Sequence, residues 1–171
     1  IVVKCLLIGG NISNRLPLIP GRNHYCYFIE FHLIVSPGLI IDLTVFLTPL
    51  DHWLKGNGCV HEGEVSTRLG LPAVPEAAEV VALARDLALI ETTGVRAHIA
   101  QVSCARSVEK IREAKARGLR VTAAVSAHHL HLSEQDIGEF DTRYHVMPPL
   151  RSLADRDALR QGIISGVIDA I

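Results

Sequence analysis

Residues 94–126, "GVRAHIAQVSCARSVEKIREAKARGLRVTAAVS", decide the fold. "VRAHIAQV" is a short apolar run with little room for a helix, and it reads as a buried strand. "SVEKIREAKARG" then places Val108, Ile111 and Ala114 at helical spacing, with Gly118 as the stop. "LRVTAAVS" is a second apolar run. Strand, helix and strand follow one another with short links, which is the signature of a parallel β/α unit.

Working outward, the pattern repeats. "PEAAEVVALARDLALIETTG" predicts a helix over 76–92, with Pro75 in its first turn and Gly94 just past its end. Its apolar stripe is read as Ala77, Val80, Val81, Ala84, Leu87 and Ala88. Ser133 and Asp136 suit the start of a short helix at "SEQDIGEF". Asp155 suits the N-cap of "DRDALRQGIISG", and "VIDAI" reads as a last strand. Residues 95–102, 119–126 and 167–171 are expected as adjacent parallel strands, with helices at 76–92 and 105–117 outside them. The fold class is α/β, read as part of a (β/α)8 barrel or an open parallel sheet. In either architecture ligands sit at the carboxyl ends of the strands. Residues 1–41 differ: they hold few charges, several prolines and glycines, and many β-branched residues, and they read as a separate β-rich segment.

Bulk composition narrows the function classes. The chain has 171 residues, 49% of them apolar, enough for a sizeable core. Its 17 basic and 18 acidic residues nearly cancel, which argues against a nucleic-acid groove or an anionic membrane surface as partner. Cys5, Cys26, Cys59 and Cys104 lie far apart without a C-x-x-C, so a reduced, cytoplasmic setting is expected. The apolar run Phe28–Leu50 is interrupted by Glu30, His32, Pro37, Gly38 and Asp42, unlike a membrane span. The first ten residues lack the flanks of a signal peptide, and with no initiator Met the chain is expected to be a fragment.

Several residues are candidates for chemistry. His128, His129 and His131 fall within four residues after a strand, and neutral imidazole suits zinc. A turn in which these rings bond backbone is the plainer alternative. His98 sits mid-strand, on the face of Ala100 and Val102, and is expected as a satisfied core residue rather than a ligand. Glu62 and Glu64 precede Arg68, where capping and ion pairing compete with acid–base work. Arg151 follows the Pro148–Pro149 corner, and it either clamps a carboxylate or pairs with Asp155 or Asp157.

Four segments from about Asp51 to Ile171 resemble bacterial dihydroorotases of the longer type, in the amidohydrolase superfamily. "HEGEVSTRLGLPAVPEAAEVVALARD" is similar to that family's N-E-G-E-x-S-x-x-L-G-L segment. "GVRAHIAQVS" is similar to its G-x-x-x-H-I-x-H-V-S strand. "AKARGLRVTAAVSAHHLHLSEQDI" resembles its A-K-x-x-G-x-x-V-T-x-E-V-x-P-H-H-L-x-L segment. "MPPLRSLADRDALRQGIISGVIDAI" resembles N-P-P-L-R followed by D-R-x-A-L-x-x-G-x-x-x-G-x-I-D-x-I.

The resemblance implies that residues 42–171 are part of a (β/α)8 barrel. It also implies a zinc-dependent reaction, the reversible closure of N-carbamoyl-aspartate to dihydroorotate in pyrimidine biosynthesis. It implies, further, that the chemistry is missing here. The family's metal histidine in H-V-S falls on Gln101. Its Glu and Pro before the paired histidines fall on Ala124 and Ala127, and its substrate-binding Asn on Met147, with Arg151 kept nearby. Its H-C-x-D strand aligns with "TPLD", giving Thr48 for a metal histidine and keeping Asp51. Alternatively "SPGLIIDLTVFL" aligns with the first barrel strand, giving Thr44 and Phe46 for two zinc histidines. No matched ligand survives on either alignment, so no catalytic residue is assigned, no bound cofactor is expected, and His98, His128 and His129 remain as substitutes. The expectation is a non-catalytic homologue, with aspartate transcarbamoylase or a second copy as partner. The rival is an active zinc dihydroorotase whose missing segments lie outside this stretch. A third reading is a rearranged chain with no function of its own.

Overall fold

The computed structural model describes residues 44–171. Residues 1–41, the expected β-rich segment, together with Cys5 and Cys26, lie outside the described residues. Among those described, three parallel strands form one sheet in the order β1 (Thr44–Leu47), β4 (Arg96–Ile99), β5 (Val121–Ala123). Two shorter parallel strands, β2 (Val60–His61) and β3 (Ala73–Val74), pair separately. Helices α1 (His52–Lys55), α2 (Glu64–Leu69), α3 (Ala77–Thr93), α4 (Ala105–Ala116), α5 (Ala127–His131) and α6 (Leu153–Ile164) fill the connections.

The strand–helix–strand reading of 94–126 holds: β4 and β5 are neighbours and parallel, with α4 between them in sequence. The expected strand at 167–171 shrinks to a single parallel bridge between Ala170 and Ala124. Its Val167 and Ile168 are nevertheless buried in the main core. The expected helix after Ser133 is one 3-10 turn, Glu134–Asp136, closed by the Ser133–Asp136 box.

Register divides the sheet into two faces. Val45, Ala97 and Val121 lie side by side, as do Leu47, Ile99 and Ala123, and of this layer Leu47, Ala97, Ile99, Val121 and Ala123 pack with Leu83, Leu87, Ile90, Val108 and Ile111 from α3 and α4. Phe46, His98 and Thr122 make the opposite row, where Phe46 is 68% exposed.

Two further sequence expectations need correction. The buried face of α3 carries Ala78, Glu79, Val80, Ala82, Leu83, Asp86, Leu87 and Ile90, so Val80 and Leu87 of the expected stripe are buried whereas Val81 is exposed. The stripe is rotated from the one read off apolar letters, because two carboxylates lie inside it and are partnered there. Glu79 accepts from the Ser103 N–H, and Asp86 accepts from Arg85. The N-cap of α6 is Ser152, not Asp155. Asp155 stands three residues on, where it accepts from the Ser152 N–H at 3.2 Å and from the Ala105 N–H of α4 at 2.8 Å. One carboxylate thereby satisfies orphan donors at two helix starts.

Candidate functional site

The carboxyl ends of β1, β4 and β5 carry Thr48, Gln101 and Ser126. Gln101 is exposed and has a left-handed backbone, φ 58°. That single residue breaks the strand alternation. Val102 therefore turns into the core beside Ile99, instead of sharing a face with His98. His98 itself is not a core residue. It lies half-exposed on the open face, its Nδ1 2.8 Å from Thr122 Oγ1 and its ring 5.1 Å from that of Phe46.

The histidine cluster after β5 is drawn into the scaffold. His129 is buried, and its Nε2–H donates to Pro148 O and Pro149 O at 3.1 and 3.2 Å. Carbonyls only accept, so Nδ1 is the lone-pair nitrogen and accepts from the Ser126 hydroxyl at 2.6 Å. Ser126 Oγ in turn accepts from His128 Nε2–H at 3.0 Å. Burial pushes His129 down to about 4, with the neighbouring His128 ring acting in the same direction. His131 is exposed.

Arg151, expected at a ligand or beside Asp155 or Asp157, goes elsewhere. It is 2% exposed. Its Nε donates to Ser103 Oγ at 3.1 Å, and its Nη1 donates to Val74 O at 3.0 Å and to His61 Nδ1 at 3.2 Å. Its counter-charge is Glu79, 3.7 Å away and equally enclosed. Glu79 also accepts from the Ser103 N–H at 3.0 Å, from the Ser103 hydroxyl, and from the Cys104 thiol. Burial, reinforced by Glu79, pushes the Cys104 thiol far up, so it is a poor nucleophile. This network was missed in the sequence. Its one legible sign is Glu79, a charge set within the apolar run of α3.

Met147 is half-buried before Pro148, in the segment that His129 holds. Asp51 caps α1, accepting from the Trp53 and Leu54 N–H groups. Glu64 lies in the first turn of α2, whose cap is Gly63, and Arg68 donates to Ile137 O at 3.4 Å rather than to Glu62 or Glu64.

A zinc centre needs three or four His, Cys, Asp or Glu side chains converging on one point. Among the described residues no group of three such side chains is gathered in that way. Thr48 and Gln101 stand at the strand ends, and both nitrogens of His129 are used within the protein. This donor set does not fit zinc.

No family model matches the chain. Individual proteins do. A dihydroorotase-like protein of Pseudomonas putida is 48% identical over 159 residues, 93% of this chain and 36% of that protein. A dihydroorotase of Pelotomaculum thermopropionicum is 53% identical over 121 residues, 71% of this chain and 28% of that protein. Among solved structures, a D-hydantoinase (dihydropyrimidinase) from Thermus sp. superposes with a TM-score of 0.52 at 30% identity, covering 56% of this chain and 21% of that one. The chain thus spans about a third of the length of the curated relatives it matches. No helix among the described residues is long and apolar enough to cross a membrane.

Proposed function

We propose that this chain is a sector of a dihydroorotase-like amidohydrolase barrel that has lost the metal centre, and that its role is structural rather than catalytic. The observation that carries the reading is the set of residues at the strand ends. Where the dihydroorotase pattern has metal-binding and substrate-binding side chains, this chain has Thr48, Gln101 and Met147, while Arg151 is enclosed by Ser103, Val74, His61 and Glu79. Hydrolysis of a cyclic amide near neutral pH needs a Lewis acid or an activated water. The reading is supported by the described residues, among which no three His, Cys, Asp or Glu side chains gather to hold a metal ion.

The pairing of β1 with β4 favours one of the two sequence alignments. In a (β/α)8 barrel, strands consecutive in the chain are neighbours in the sheet. β1 is hydrogen-bonded directly to β4 from Thr44 to Leu47. That pairing supports reading β1 as the strand just before the H-I-x-H-V-S equivalent, with "TPLD" aligned to the metal-bearing H-C-x-D strand. Thr48 takes the histidine's place, and the surviving Asp51 is a helix cap.

In this reading the scaffold serves an assembly, with aspartate transcarbamoylase as the partner and a second copy as the alternative. The test is metal analysis and dihydroorotate ring opening, followed by ultraviolet absorbance with and without added zinc. The unmodified chain is expected to carry no stoichiometric zinc and to show no turnover. Gln101→His with Met147→Asn is expected to fold and remain inactive, since groups that act as a unit do not contribute additively. About one zinc per chain, with zinc-dependent turnover, overturns the reading.

A further inference from the structure

β2 and β3 do not join the main sheet, and they rest on a small core of their own, Val60, Val65, Ile137 and Leu150. Arg151 stands between this core and the main one. Its Nε reaches Ser103 beyond β4, and its Nη1 reaches both members of one β2–β3 register pair, His61 and Val74. A guanidinium only donates, so His61 Nδ1 must accept at 3.2 Å. That acceptor exists only in the neutral ring with its proton on Nε2.

A second group nearby lacks what a protonated ring offers. Glu134 Oε2 is buried and has no hydrogen-bond partner among the described residues. It lies against Gly63, two residues from His61: a Cβ placed on Gly63 would stand 2.7 Å from it. The charges facing His61 are Arg151, which opposes protonation, and Glu134, Asp155 and Glu76, which favour it. Burial and Arg151 prevail, holding the ring below the usual histidine range.

We propose that His61 is a two-position acid switch, which in its neutral form accepts from Arg151 and ties the β2–β3 unit to the 148–151 segment, and in its protonated form leaves Arg151 for the unsatisfied oxygen of Glu134. Protonation sets a donor against a donor at the first contact and supplies a donor at the second. The device is independent of the scaffold reading.

The test is a histidine-selective NMR titration of the whole chain and of its Glu134→Gln variant, beside urea unfolding of His61→Gln. At neutral pH the His61 ring is expected as the Nε2–H tautomer. Its midpoint is expected below the ordinary value, falling a further half unit or so in Glu134→Gln. Gln at 61 keeps an acceptor and cannot titrate. Between about pH 7.5 and 5 it is therefore expected to lose less stability than the unmodified chain, the contribution of His129 being common to both. An Nδ1–H tautomer at neutral pH, a midpoint unmoved by Glu134→Gln, or the same loss of stability in both proteins overturns the switch.

Discussion

Replacing Glu79 by Gln tests whether the Arg151 network holds the strand ends in place. Both side chains are about 1% exposed, with nitrogen and oxygen 3.7 Å apart. At an effective dielectric of about 20 the attraction across that distance is about 4.5 kcal/mol, set against the cost of taking both charges out of water. Gln preserves the volume but leaves the Arg151 cation buried without a counter-charge. It also keeps only one of the two oxygens that now receive the Ser103 N–H and hydroxyl. Breaking a buried pair from one side costs about 3–5 kcal/mol. A domain of this size is stable by about 5–15 kcal/mol, so the variant should be visibly weakened. The assay is equilibrium urea unfolding of the unmodified chain, Glu79→Gln, Arg151→Met and the double variant. The double variant leaves no stranded charge, and it is expected to lose at least 2 kcal/mol or so less than the sum of the singles. A Glu79→Gln protein within about 0.5 kcal/mol of the parent, or an additive cycle, refutes the account.

Gly58→Ala should be severe: its Cβ would collide with Ala73 O, which is backbone and cannot step aside, and a large drop in thermal midpoint is the expected reading. Gly162→Ala meets side chains instead, Ile168 Cδ1 at 2.9 Å and Val108 Cγ1 at 3.1 Å, and should cost about 1–3 kcal/mol in urea unfolding. Ser152→Ala removes the cap of α6 and should cost about 1 kcal/mol, with faster amide exchange at Asp155. For His129 the folded ring sits near 4, below its unfolded value, so the neutral form is the one the fold favours. Its contribution is complete above about pH 6.5 and is lost as pH falls toward 4, on the order of 3 kcal/mol in all. His129→Asn should flatten stability over that window, and an unchanged acid profile would count against the burial argument.

The strand–helix–strand order of 94–126, with the helix before it, was legible in the sequence because it rests on local signals. Val108, Ile111 and Ala114 recur at helical spacing, Gly94 and Gly118 take the left-handed positions that end or follow helices, and the apolar runs at 96–99 and 121–123 are too short for anything but strands. The departures from the dihydroorotase pattern, Thr48 and Gln101 at metal-histidine positions and Met147 at a substrate-binding one, can be read from the sequence because they are identities rather than geometries. Which face of α3 is buried was not. Apolar letters pointed to Val81, but Glu79 lies inside because Ser103, distant in sequence, satisfies it, and Asp86 because the adjacent Arg85 does. The left-handed Gln101, which turns Val102 into the core and leaves His98 on the open face, has no local signature. Arg151 looked like a ligand clamp beside acidic neighbours, and only the tertiary structure, which brings Glu79, Ser103, His61 and Val74 around it, makes it part of the core. Sequence fixes what each residue can donate or accept within a turn or two of itself. The partner of a buried charge is chosen by packing between segments tens of residues apart, where the free energy of burial forbids leaving the charge alone.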